Sequence, residues 1–307
     1  MSGGGGRDWK SDSAGQDIGK EAAKATGASS YEADANSFLQ DVVSSYNNRD
    51  AEAIQGHLDV LQRAIEKDID GLTDVLFGGS VKKHTYVDGL SDVDVLLVVN
   101  QSSLAETSPQ AVLDYLEGRI RERLPDTEVK SGTLAITVSY SDGIEIQLLP
   151  ALKTQTGVRI ANQDGSDWSS VVRPQEFAGK LTQVNRECGS RVVPVIKLFK
   201  VLQSSLPGNS QLKGYHVESL AIEAFRDYQG RQTYKDMLQH FAQVAASRVQ
   251  TPLADTTGQS RHVDDYLGAS GSSARVRTSK ALNRIAKKLA TADQRGTVDT
   301  LRDLFGE

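Results

Sequence analysis

The sequence predicts an α+β fold: two N-terminal helices, a small mixed sheet with one helix, then a helical lobe. Three observations predict it. Apolar residues recur at helical spacing from 31 to 68, the period shortens to β-branched runs between 72 and 151, and helical spacing returns beyond 190. The chain has 307 residues, enough for one large domain or two lobes with a real core.

The elements follow in order. Residues 1–30, rich in Gly and Ser, read as a disordered tail without the apolar run of a signal peptide. Residues 31–47 set Phe38, Leu39, Val42, Val43 and Tyr46 on one helix face, and 51–68 do the same with Ile54, Leu58, Leu61 and Ile65. The runs LTDVLFGGS and DVDVLLVVN read as short strands. In SPQAVLDYLEGRIRERL, Ser108 is the expected N-cap and Pro109 the first helical residue. TLAITVSY and IEIQLLPA are two strands joined by a Ser-Asp-Gly turn. Helices are expected over Val192–Leu202, Tyr215–Tyr228, Gln232–Arg248 and Ser279–Thr291, with a polar loop from Thr251 to Ser273. Trp168 and Pro174 read as packing and turn residues. The organisation is a tail (1–30), a sheet-bearing lobe that includes the N-terminal helices (31–175) and a helical lobe (176–307).

Composition narrows the function. A net charge of -5 gives no overall pull toward nucleic acid. The single cysteine, Cys188, rules out an internal disulfide framework and suits a reducing cytoplasm. No stretch reads as a bilayer span. Charge is segregated: 31–75 is acidic, whereas Lys180, Arg186, Arg191, Lys197, Lys200 and Lys213 face one acid, Glu187, in their segment. The basic run over 275–290 reads as a solvated helix face.

Chemistry concentrates at one place. Asp92 and Asp94 lie two apart on a strand, so they point to one side. Like charges this close repel unless a cation sits between them, which makes the pair a natural seat for Mg²⁺. Alone, the pair also fits an exposed edge with two solvated acids. Gly79 and Ser80 precede it by about one loop and suit a phosphate: glycine lets backbone amides approach, and the hydroxyl can bond an oxygen.

The stretch GGSVKKHTYVDGLSDVDVLLVV, residues 78–99, resembles the nucleotidyltransferases of the DNA polymerase β superfamily. More closely it resembles the bacterial CD-NTases of CBASS antiphage systems, cousins of cyclic GMP-AMP synthase and oligoadenylate synthase. The motif is Gly-Ser, a loop with a Thr (Thr85), then Asp-x-Asp before an apolar strand. GIEIQLLPA resembles the strand that carries the family's third acid. VVPVIKLFKVL resembles the helix whose lysine, here Lys200, binds triphosphate, with Lys197 one turn away. LKGYHVESL resembles the segment whose small residue and aromatic, Gly214 and Tyr215, contact the nucleotide, and LRDLFGE resembles the family's C-terminal ending. Together these cover roughly residues 50 to 307.

The resemblance implies a polymerase β-like nucleotidyltransferase lobe and a helical lobe with the active site in the cleft between them. It implies a Mg²⁺-dependent (or Mn²⁺-dependent) synthase that joins ribonucleoside triphosphates into a cyclic di- or trinucleotide. That product would act on a separate effector protein, and a protein activator is left open. Asp92 and Asp94 would hold metal, Gly79 and Ser80 would cradle phosphates, and Tyr215 would stack on a base. One position departs: the third acid's place holds Gln147, whose amide offers a carbonyl oxygen without charge. Glu145, two residues earlier, is the substitute acid on the same strand face. Three readings follow: Glu145 does the work, Gln147 is a natural weakening, or the chain is an impaired variant. The competing functions are a nucleotidyltransferase acting on RNA, protein or a small molecule, and a nucleotide-binding member without turnover. Lys200 also fits a surface lysine on an amphipathic helix, and Tyr215 a core aromatic.

Overall fold

The N-terminal helical periodicity folds into two helices that join different cores. The computed structural model describes residues 13–46, 51–66, 74–77, 93–100, 102–162, 164–258 and 263–307. Helix α1 spans Ser13–Ser45 and α2 Ala51–Glu66. α1 therefore starts inside the stretch expected as a tail, where Lys20 to Ala25 is a run of strong helix formers. Its stripe of Tyr31, Ala35, Phe38, Leu39, Val42 and Val43 is buried in one cluster with the C-terminal helices. By packing, α1 belongs with the helical lobe and not with the sheet, where the sequence grouping had placed it.

The sheet has six strands: β1 Asp74–Phe77, β2 Val93–Val98, β3 Glu128–Ser131, β4 Ile136–Ser139, β5 Glu145–Lys153 and β6 Val158–Ile160. The order is β1-β2-β5-β4-β3, with β6 also on β5. β2 and β5 run parallel, and the other pairs antiparallel. Helix α3, Pro109–Arg123, starts as expected, with Ser108 capping the Ala111 amide and Pro109 at the first position. One face of the sheet is core: Val95, Leu97, Ile136, Val138, Ile146 and Leu148 meet the apolar stripes of α2 and α3. On the other face Thr137, Ser139, Gln147 and Leu149 are half-buried and Glu145 is exposed. The β4–β5 turn uses Gly143 at φ 86°, which glycine adopts without strain. α2 is fastened to this turn: His57 stacks on Tyr140 at 3.7 Å and its Nε2 meets Asp142 Oδ2 at 2.7 Å.

The second core is built from α4 Pro174–Glu187, α5 Val192–Ser204, α6 Gly214–Phe225, α7 Tyr234–Arg248, α8 Ser273–Arg295 and α9 Asp299–Phe305. Pro174, expected in a turn, is the first residue of α4, a position that needs no amide hydrogen. Trp168 packs against the sheet-lobe core as expected, with Nε1 donating to Thr107 O at 3.0 Å. α8 begins at Ser273, earlier than expected, because Ser272 caps the Arg275 amide.

Beneath the loop between α7 and α8 lies a buried polar cluster. Asp264, Arg275 and His216 are all fully buried. Arg275 Nη1 donates to Asp264 Oδ2 at 2.6 Å and also to the Val249 and Thr251 carbonyls, so its charge and its donors are met. His216 Nδ1 sits 2.9 Å from Tyr266 Oη, and its Nε2 is 3.7 Å from Asp264 Oδ2. Burial lowers the imidazole pKa to about 4; Asp264 opposes the shift, and Arg275 and Arg248 add to it.

Two outcomes follow for stability. Leu116 is fully buried between α3 and the sheet, so Leu116→Ala should cost about 2–5 kcal/mol, read as a lower chemical denaturation midpoint at pH 7. The pH outcome concerns His216, which stays neutral in the folded chain at pH values where the unfolded chain protonates it. Stability should therefore fall as pH drops from the ordinary histidine value of about 6.5 toward about 4. In His216→Gln that part of the slope should vanish, as measured by denaturant midpoints across the window.

Candidate active site

The sheet supplies one half of the expected site. In the parallel β2–β5 pairing, Asp94 and Gln147 are Cα partners, and Val93 partners Ile146. The strand expected to carry the third ligand thus lies beside the Asp-x-Asp strand, with position 147 next to 94. Asp92, Gly79, Ser80 and Thr85 lie outside the described residues. On the other side of β5, Thr137 partners Gln147 and Ser139 partners Glu145. Ser139 Oγ donates to Glu145 Oε1 at 2.8 Å. The Glu145 carboxylate therefore leans toward β4, away from the strand that carries Asp94. Among the described residues no group of three His, Cys, Asp or Glu side chains is arranged to hold a metal ion.

The helical lobe supplies the other half, and it brings together all four residues expected there. Lys197 and Lys200 stand one turn apart on α5, and both are buried. Lys200 is thus not a surface lysine. Its Nζ lies 3.3 Å from Glu218 Oε1 on α6, and Glu218 is 1% exposed. An ion pair this deep holds the ammonium in one place. Gly214 opens α6 beside it: a methyl added there would lie 3.7 Å from Lys200 Nζ, and a larger side chain would cover the ammonium. The first-turn amides of α6 lack helical acceptors and carry the positive end of the helix dipole. An ammonium beside such a helix start is an electropositive locus of the kind phosphates occupy.

Tyr215 follows at the second position of α6. One face of its ring packs on Phe177 at a centroid distance of 4.4 Å, and its hydroxyl donates to Asp255 Oδ1 at 3.2 Å. It remains 37% exposed, while the residues after it, from His216 to Ile222, are buried. Burial and the charge of Asp255 push its phenol pKa up, so the hydroxyl stays a donor at neutral pH. Tyr215 is therefore not a core residue.

Sequence reading missed three side chains here. Glu218 stood out as an acid within an apolar helical run, a readable signal of a buried partner. Phe177 lay in an amphipathic stretch that had not been read as a helix. Asp255 lay in a polar loop and carried no local signal.

Known proteins complete the picture. No curated protein matches the chain. Its structure is similar to that of the CD-NTase CdnG of Bradyrhizobium diazoefficiens in complex with GTP: 16% identity, TM-score 0.66, covering 83% of this chain and 90% of that one. It is also similar to CdnC of E. coli MS115-1 in its complex with HORMA-deltaN, with 18% identity, TM-score 0.57 and coverage of 86% and 91%. A third similar structure is the Vibrio cholerae DncV cyclic AMP-GMP synthase in complex with a linear intermediate, with 10% identity, TM-score 0.64 and coverage of 95% and 90%. At these identities the likeness speaks for the fold, which is the expected polymerase β-like one. The model of the SMODS family, the Second Messenger Oligonucleotide or Dinucleotide Synthetase domain, matches residues 30–185, just over half of the chain. The chain belongs to that family.

Proposed function

We propose that this chain is a template-independent nucleotidyltransferase that joins ribonucleoside triphosphates into a cyclic di- or trinucleotide for antiphage signalling through a separate effector. The observation that carries the reading is the register of β2 on β5, which sets Gln147 beside Asp94. The family match and the electropositive start of α6 add to it. CdnC of E. coli MS115-1 forms a complex with HORMA-deltaN, which supports a partner protein as an activator.

The donor set fits a hard divalent cation in part: two carboxylates and one neutral carbonyl oxygen, with substrate phosphates and water to fill the shell. Asp92, Asp94 and Gln147 would hold Mg²⁺ or Mn²⁺, which supplies charge neutralisation on the triphosphate oxygens. Lys200, with Lys197 one turn away, would meet the same phosphates from the helical lobe, and Gly79 and Ser80 would bind them from the sheet. Tyr215 would stack on a base. The other triphosphate's sugar hydroxyl would attack in line. Gln147 cannot accept that hydroxyl's proton as a carboxylate would.

A second reading has its own observation. With a neutral residue at 147 and Glu145 turned to Ser139, the chain binds nucleotides and turns them over weakly or not at all. Incubation with the four ribonucleoside triphosphates and Mg²⁺ or Mn²⁺, followed by mass analysis, separates the two readings. Synthase action gives a phosphatase-resistant cyclic product that Asp92→Asn abolishes; equal behaviour of both proteins would overturn the site assignment. Gln147→Asp should raise turnover about tenfold or more, the effect of roughly 1.4 kcal/mol on a barrier. Glu145→Gln should leave turnover within about twofold, because its carboxylate faces β4. A large loss in that variant would make Glu145 the working acid.

A further inference from the structure

We infer that Asp255 is a positioning residue for the ring of Tyr215, and that the loop after α7 is the strut that holds it there. The inference rests on the reading of Tyr215 as the base platform. A tyrosine ring turns about two soft torsions, and Phe177 limits only one side of it. The hydroxyl bond to Asp255 fixes the far end. Asp255 is itself immobilised: its Oδ1 also accepts from the Thr257 amide and the Thr257 hydroxyl, both at 2.9 Å, and the residue is buried.

The segment around Asp255 is tied on both sides. Lys180 on α4 donates its ammonium to the Thr256 carbonyl. The Leu253 amide donates to Asp264 Oδ1 at 3.0 Å, and Asp264 is the fully buried partner of Arg275. Tyr266, further along the loop, accepts from the Lys213 amide at 3.1 Å, just before α6. A continuous series of contacts thus runs from the start of α8, through Arg275 and Asp264, to the edge of the Tyr215 ring. A buried ion pair is seldom the cheapest way to stabilise a core. Its place here suits fixing the platform's height and tilt relative to Lys200.

The test measures binding, so it does not depend on turnover. ATP and GTP dissociation constants are measured by calorimetry, and the quenching of 2-aminopurine riboside triphosphate reports stacking. Tyr215→Ala should abolish the quenching and weaken binding by more than tenfold, consistent with about 1–3 kcal/mol per stacked base. Tyr215→Phe and Asp255→Ala should each weaken binding about three- to tenfold, the scale of one ordinary net hydrogen bond, with partial loss of quenching. The double variant should be no worse than Tyr215→Phe alone, because removing the hydroxyl, which bonds both Asp255 and Thr257, already cuts the Asp255 bond. Asp255→Asn keeps an acceptor oxygen and should restore most of the affinity. Wild-type binding by Tyr215→Phe and Asp255→Ala, with Tyr215→Ala impaired, overturns the positioning role and leaves the platform. Additive losses in the double variant overturn it too. Wild-type binding by Tyr215→Ala removes the platform itself. Should Asp255→Ala fail to fold, Tyr215→Phe decides alone, since it leaves the loop untouched.

Discussion

The parallel seating of β2 on β5 is the constraint on which the site depends. It is the one parallel pair among the described strands, and it puts residue 94 beside residue 147. The register is held by the opposite face of the same strands. Val95 and Leu97 on β2, with Ile146 and Leu148 on β5, are buried under α2 and α3. A slip of one residue by either strand would turn its two side chains out of the core, at about 1.5–3 kcal/mol each. Hydrophobic packing on one side of the sheet therefore fixes the register that sets position 94 beside position 147. The His57–Tyr140 stack and the His57–Asp142 contact extend the same control, because they lock α2 to the turn that leads into β5.

In the helical lobe, fixed charge replaces strand register. Lys200 and Glu218 form a buried pair, and Asp264 and Arg275 form another. The first joins α5 to α6; the second ties the loop after α7 to the start of α8, and its Asp264 comes within 3.7 Å of His216 on α6. Gly214 lies against the first pair and His216 against the second, while Tyr215 sits between them. Three successive residues are thus pinned from different directions, which suits a segment that must present a helix start and an aromatic face together.

Much of this was legible in the sequence, for physical reasons. Strong periodicity, a serine cap followed by proline, and a Ser-Asp-Gly turn each carry their own local cause, and α3, the β4–β5 hairpin and α5 formed where those signals put them. Short motifs suggest ligand positions because metal and phosphate chemistry restrict residue type, but Gly79, Ser80 and Asp92 lie outside the described residues. What was not legible depends on packing partners distant in sequence. Nothing within α1 says that its apolar stripe meets α5 and α7 rather than the sheet. Pro174 reads equally as a turn residue or a helix start until Phe177, Leu181 and Val184 find the core below them. Lys200 reads as a surface lysine until Glu218 is placed opposite. The strut through Asp255 joins residues 40 apart and has no signature of its own.

Gln147 sets the chemical question for the whole chain, and electrostatics gives it a direction. A carboxylate at this position would stand about 5 Å from the Asp94 strand position, a strand spacing away. At an effective dielectric of about 20, two such charges repel by about 3 kcal/mol unless cations offset them. A neutral amide removes that repulsion, and it removes equal repulsion against an incoming triphosphate. Nucleotide binding therefore survives the change, or improves at low cation concentration. What is lost is specific to the reaction: a negative group to stabilise a second cation and to draw the proton from an attacking hydroxyl. Binding and turnover are thus separable at one atom of one side chain, while the places of the lysines on α5 and of Tyr215 against Asp255 do not depend on that atom.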